Sequence, residues 1–199
     1  MQSTKPQQQS RRRFLLGGLG AAGALVVGWG VIPPGQRLHA SKPLPTQDGE
    51  VALNGWIKIA RDGTVTVAMP RNEMGQGVTT ALPMLVAEEL DVPLSMVRIE
   101  QAPLDRIYAD RTILPASLPF HPDDRGVIKR IAYWLGAKAA HEFGIMVTGG
   151  SSSVKDCWLP MREAGAAARS MLVAAAAREW GVTAQECRTE NGVVLHANG

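Results

Sequence analysis

The chain has 199 residues, 45% of them apolar, and a formal net charge of +3, so it can bury a core but lacks the charge excess that marks nucleic-acid binding. Much of that small excess sits in Arg11, Arg12 and Arg13, ahead of any segment patterned to fold. Cys157 and Cys187 are the only cysteines; two thiols without Cys-x-x-Cys spacing make neither a disulfide framework nor a cysteine-ligated zinc site.

The first forty residues are patterned as an address. Polar residues 1–10 precede the three arginines, and Phe14 to Ile32 is apolar and small, the order of an export signal. Ser10-Arg11-Arg12-Arg13-Phe14-Leu15 resembles the twin-arginine consensus, a route for proteins that fold around a complex cofactor before crossing the membrane. Two fates stay open. Leu38-His39-Ala40 before Ser41 is an imperfect small-x-small cleavage site, whereas residues 14–32 approach the ~20 apolar residues of a spanning helix, with cations on the cytoplasmic side. Either way the body is expected outside the cytoplasm. Pro33, Pro34, Pro43 and Pro45 then mark a linker to about Glu50.

In the body, Trp56–Ala60 and Thr64–Met69 flank Arg61-Asp62-Gly63, which predicts a hairpin. Val78–Leu90 predicts a helix with Pro83 tolerated near its first turn, ended by Asp91-Val92-Pro93, and Met96–Ala102 predicts a further strand. Pro115, Pro119 and Pro122 punctuate a loop before an amphipathic helix over Val127–His141. A long alanine-rich helix follows over Val154–Trp180, with Pro160 near its start and too many charges for a membrane span. Thr183-Ala184-Gln185-Glu186 has capping-box form, and Cys187–Leu195 around Asn191-Gly192 predicts a short hairpin. The fold class expected is α+β. Its layout is a leader or anchor over residues 1–40, a linker over 41–50, and a partial domain over 51–199 with an insertion at about 103–147. Ending at Gly199 without a closing element, the chain is expected to be a piece of a larger unit.

Glu73-Met74-Gly75-Gln76-Gly77 lies between the second hairpin strand and a helix. Glycines on both sides of Gln76 let backbone approach a ligand, the helix start offers N–H groups to an anion, and the carboxamide both donates and accepts. Taken alone, such a turn reads first as a tight connection with a surface glutamine. Thr148-Gly149-Gly150-Ser151-Ser152-Ser153 again precedes a helix, with small residues and hydroxyls. Its plain alternative is an N-cap after a flexible loop. Glu88, Glu89, Glu163 and Glu179 fall on helical patterns and are expected to be solvated. His39, His121, His141 and His196 are too scattered for a protein-built metal site.

Asp62 to Val67, the Gly75-Gln76-Gly77 turn, the following helix and Val92-Pro93-Leu94-Ser95-Met96-Val97 resemble, in order and spacing, the xanthine dehydrogenase and aldehyde oxidase family. The long insertion and the export signal resemble its isoquinoline 1-oxidoreductase beta-subunit type. The resemblance implies that Gln76 hydrogen-bonds a molybdopterin cofactor, that Gly75 and Gly77 permit its approach, and that Glu73 is structural. It also implies that Thr148, Ser151 and Ser153 contact the pterin or its phosphate, with Gly149 and Gly150 near substrate and molybdenum. The family's catalytic base is a glutamate near the C-terminal end of its large subunit, so no catalytic residue is expected here. The implied whole is a molybdenum hydroxylase that oxidises an aldehyde or N-heterocycle with oxygen from water. It would use the cytosine dinucleotide form of the cofactor, iron–sulfur clusters on a small partner subunit, and a downstream acceptor such as a cytochrome. The alternative is a non-catalytic exported or membrane-tethered module, degenerate or split from its catalytic half.

Overall fold

In a computed structural model of the chain, the described residues are 18–20, 23–25 and 27–196. They fall into two units, the second beginning at Gly35. In the first, residues 18–20, 23–25 and 27–31 are helical. Among the described residues no helix is long and apolar enough to cross a membrane. The arginine motif at 10–15 lies outside the described residues, as does part of the apolar run 14–32.

The second unit is built on a sheet ordered β1-β2-β3-β4, where β1 is Glu50–Ala52, β2 Ile57–Ala60, β3 Val65–Met69 and β4 Val97–Gln101. The expected hairpin is β2 and β3, antiparallel with Ile57 opposite Val67. Its turn is closed by Asp62, whose carboxylate accepts from Thr64 N at 2.9 Å, and by Gly63 at φ 84°. Strand β1 was not expected; it starts at the last residue of the predicted linker and extends the sheet antiparallel to β2. Helix α1, Val78–Leu90, has the predicted bounds and carries the chain over to β4, which pairs parallel with β3 from Val65–Val97 to Met69–Gln101. A parallel pair needs such a crossover, and β3 is accordingly buried on both faces at its end, with Val67, Ala68 and Met69 all inside. Pro83 sits inside α1, past its first turn. It therefore removes an N–H that would have bonded within the helix.

Residues 103–147 form no separate excursion at their start. Ile107, Tyr108, Ala109 and Asp110 are buried, and Tyr108 meets Trp56 edge-on at 4.9 Å while donating its hydroxyl to Gly55 O. Beyond them lie α2 (Ile113–Ala116) and α3 (Val127–Glu142), one residue longer than expected. Asp110 N donates to Ile145 O at 2.7 Å, so the two ends of this excursion meet. Helix α4, Ser153–Trp180, then packs along α1. They approach closely at Gly165, where a Cβ would lie 2.8 Å from Glu89 Cβ and 2.9 Å from Val86 O. Arg162 of α4 pairs there with Glu89, donating from Nε at 2.6 Å, so Glu89 is not the solvated residue expected. The capping box at Thr183–Glu186 forms, and β5 (Cys187–Glu190) pairs with β6 (Val193–His196) across Asn191 and Gly192, both at positive φ. Mixed strands and helices thus agree with the expected class. Cys157 is buried in α4 and Cys187 starts β5; both are free thiols, and burial pushes Cys157 up to about 12.

Candidate functional site

The turn after β3 and the turn before α4 stand side by side. Asn72 N donates to Thr148 Oγ1 at 2.9 Å, and one residue earlier Arg71 Nη2 donates to Asp156 Oδ2 in the first turn of α4 at 2.7 Å. Gly165 lies opposite Val86–Glu89, about as far along α4 as those residues are along α1. The two helices therefore run side by side with their starts at the same end, and both positive dipole ends face the pair of turns. The first turn also leaves the C-terminal end of β3, where its neighbours become antiparallel on one side and parallel on the other.

The Asn72–Gly77 turn is exposed and holds itself together. Glu73 Oε1 accepts from Gly75 N at 2.9 Å and Gly77 N at 2.8 Å; its Oε2 accepts from Thr79 N at 3.0 Å and from the Thr79 hydroxyl at 2.8 Å. The Thr79 and Gly77 amides lower this carboxyl from its ordinary 4.5 to about 2. Glu73 is structural, as expected, but it also occupies N–H groups that were expected to face an anion. Gln76 Oε1 accepts from Met74 N at 2.5 Å and Gln76 Nε2 donates to Asn72 O at 2.8 Å. A carboxamide has four hydrogen-bonding positions, so half of them stay available. Gly75 and Gly77, at φ 89° and 76°, have no atom within 4 Å of where a Cβ would stand, and so face open space.

The Thr148–Ser153 turn is held from beneath. Gly149 likewise faces open space, whereas Gly150 at φ 57° would set a Cβ 3.0 Å from Ile113 Cδ1. Ser151, expected to touch a ligand, is exposed with left-handed backbone at φ 54°. Ser153 is buried in the first turn of α4. The serine between them, singled out by no local pattern, is the anchored one: Ser152 Oγ donates to Asp110 Oδ2 and to Gly149 O at 2.7 Å. No side chain caps the start of α4.

Below both turns lies a buried charge cluster missed in the sequence. Asp156 accepts from Arg71, from Arg37 at 2.9 and 3.1 Å, and from the Arg111 amide at 2.9 Å. Asp110 lies 3.8 Å from Arg71 and accepts from the amides of Thr112 and Ile113. Burial pushes its carboxyl up, but the Ser152 hydroxyl, Thr112 and the Arg71 charge leave it below the ordinary range. His141 is buried against Arg111, and burial lowers its pKa. Among the described residues no cluster of His, Cys, Asp or Glu is fit to hold a metal. A cavity of about 660 Å³ beside α3 is lined by Phe120, Tyr133, Trp134, Arg111 and Lys155, but by neither turn.

The profile of the molybdopterin cofactor-binding domain family matches residues 8–112, which include the first turn. The chain is 35% identical over 147 residues, 73% of its length, to the beta chain of isoquinoline 1-oxidoreductase from Brevundimonas diminuta, covering 15% of that protein. It is 32% identical over 93% of its length to a membrane-bound aldehyde dehydrogenase (pyrroloquinoline-quinone) of Gluconacetobacter polyoxogenes, covering 19% of it. It is 25% identical over 91% of its length to the B subunit of nicotinate dehydrogenase from Pseudomonas putida, covering 12% of it. The chain spans less than a fifth of these relatives. Open backbone at Gly75, Gly77 and Gly149, spare hydrogen-bonding positions on Gln76 and the uncapped start of α4 suit a polar, anionic cofactor. The chain belongs to the molybdopterin cofactor-binding domain family, within the xanthine dehydrogenase and aldehyde oxidase group that its turns resemble.

Proposed function

We propose that the chain is the cofactor-binding N-terminal part of a molybdenum hydroxylase that oxidises an aldehyde or an N-heterocycle with water as oxygen source. The observation that carries this reading is the Asn72–Thr148 bond, which joins two glycine-bearing turns at the starts of two adjacent helices. Gln76 would hold the cofactor through the donor and acceptor it does not spend on Asn72 and Met74. Gly75, Gly77, Gly149 and Gly150 would admit it close to backbone, and Thr148, Ser151 and Ser153 would offer hydroxyls to the pterin or its phosphate. Molybdenum and pterin supply the redox chemistry; the protein binds and orients them. The catalytic base belongs to the remainder of the large subunit. The cofactor would be the cytosine dinucleotide form. Electrons would leave through iron–sulfur clusters of a small partner subunit to an acceptor such as a cytochrome, in keeping with two relatives that are themselves named as subunits of larger enzymes. The leader would send the folded protein to the periplasm by the twin-arginine route, with residues 14–32 either removed or kept as an inner-membrane anchor.

Metal and pterin analysis of the complete gene product, with its small subunit present, tests this reading. Stoichiometric molybdenum and a several-fold loss on Gln76→Ala are expected. Wild-type occupancy in Gln76→Ala sinks the assignment of that residue. A complete protein without molybdenum or pterin would leave the non-catalytic module as the better description.

A further inference from the structure

Residues 35–41 are folded into the second unit rather than leading up to it. Arg37 donates from Nε to Ile107 O at 2.7 Å and from Nη2 to Ala109 O at 3.1 Å, besides its bonds to Asp156. The Arg37 carbonyl accepts the indole N–H of Trp56, and the Leu38 carbonyl accepts from Gly55 N at 2.8 Å. The Ser41 amide and hydroxyl both donate to Asp105 Oδ2. Arg111 donates to Gly35 O at 2.6 Å. Gly55 is required where this segment crosses it: a Cβ there would lie 3.0 Å from Ala40 N and 3.1 Å from Leu38 O.

The charges make the segment more than a surface dressing. Arg37 and Arg71 set two positive charges against the carboxylates of Asp110 and Asp156, with side chains 8% exposed at Arg37 and at most 2% exposed at the other three. The guanidinium of Arg111 turns away to Gly35 and His141. A cut between Ala40 and Ser41, at the small-x-small sequence, would take Arg37 away and strip the buried Asp156 carboxylate of its two charge-assisted bonds from that guanidinium.

We propose that residues 35–41 are a permanent strap of the mature protein, so that removal of the leader cuts before Gly35 and never between Ala40 and Ser41. The part concerning the leader rests on the export reading; the strap rests on the contacts alone. N-terminal sequencing and intact-mass measurement of the complete protein from its native host should give a first residue at or before Gly35. A first residue of Ser41 in the folded protein overturns the proposal. Two leaderless versions of the complete chain, beginning at Gly35 and at Ser41, test the strap without export. Limited proteolysis should cut the Asn72–Gly77 and Thr148–Ser151 turns roughly tenfold faster in the Ser41 version, because cleavage follows the open population, and leave cutting at Asn191-Gly192 unchanged. Equal rates at the two turns overturn the strap. If the Ser41 version does not accumulate, Arg37→Gln in the Gly35 version replaces it, with faster cutting expected there and an unchanged rate again overturning the strap. Cell fractionation reports separately on export: a protein found only in the cytoplasm ends the leader reading while the proteolysis result still decides the strap.

Discussion

The two turns look alike in sequence, each a run of glycine and small polar residues before a helix, yet they are held in opposite ways. The Asn72–Gly77 turn is closed by its own side chains, with Glu73 capping α1 and Gln76 tying Met74 to Asn72. The Thr148–Ser153 turn makes few bonds within itself and hangs from two buried carboxylates: Asp110, which reaches Ser152 from elsewhere in the chain, and Asp156 in the first turn of the helix it opens, which Arg71 and Arg37 hold. A self-closed turn keeps its shape whatever lies below it. A suspended one keeps its shape only while its buried anchors are intact, and its exposed Ser151 and uncapped helix start are left for a ligand.

The sharpest way to break this contrast is Asp156→Ala. It strands Arg71 and Arg37 without their carboxylate and should cost about 3–5 kcal/mol, measured from the denaturant midpoint of the complete protein. A loss below about 1 kcal/mol would mean that the second turn is not suspended from this residue. Next in size is Gly165→Val, which forces α1 and α4 apart and should cost about 1–3 kcal/mol. Because both turns start these helices, cofactor content should fall along with stability. At Gly75 an added Cβ meets no atom beyond its chain neighbours, so Gly75→Val is opposed chiefly by the positive φ, at about 1–2 kcal/mol. Its molybdopterin content should drop further than that stability loss explains, and proportionate loss would count against close backbone approach at Gly75. The smallest effect concerns Glu73. Its carboxyl is lowered from 4.5 to about 2, so its capping contribution is complete above pH 4.5 and is lost as pH falls towards 2. Thermal unfolding midpoints of the wild type and Glu73→Gln should converge over that window; a constant difference would remove Glu73 as the charge that closes the first turn.

Elements governed by near neighbours were legible in the sequence. Helix α1, helix α3 and both hairpins follow from apolar periodicity, Asp-Gly and Asn-Gly turns and proline placement, all signals within a few residues. The candidate turns were legible for the same reason, glycine pairs being visible without a fold. What holds them was not. Arg71 and Asp156 are 85 residues apart and Arg37 and Asp156 are 119 apart, and no local pattern tells a buried arginine from a solvated one. Arg37 was hidden further by its neighbours, since residues beside an apolar run and several prolines read as passage rather than structure. Ser152 was passed over for Ser151 and Ser153 because three adjacent hydroxyls are indistinguishable until Asp110 selects one. β1 was missed because three residues give no period to detect.

The backbone bond from Asp110 to Ile145 pinches the stretch between them into a bight with a closed neck. Once the neck is tied, lengthening the bight costs little, about 0.6 kcal/mol for each doubling of a flexible loop. Relatives are therefore free to differ greatly in length between Asp110 and Ile145 without disturbing the two turns, and sequence comparisons should find their gaps concentrated there.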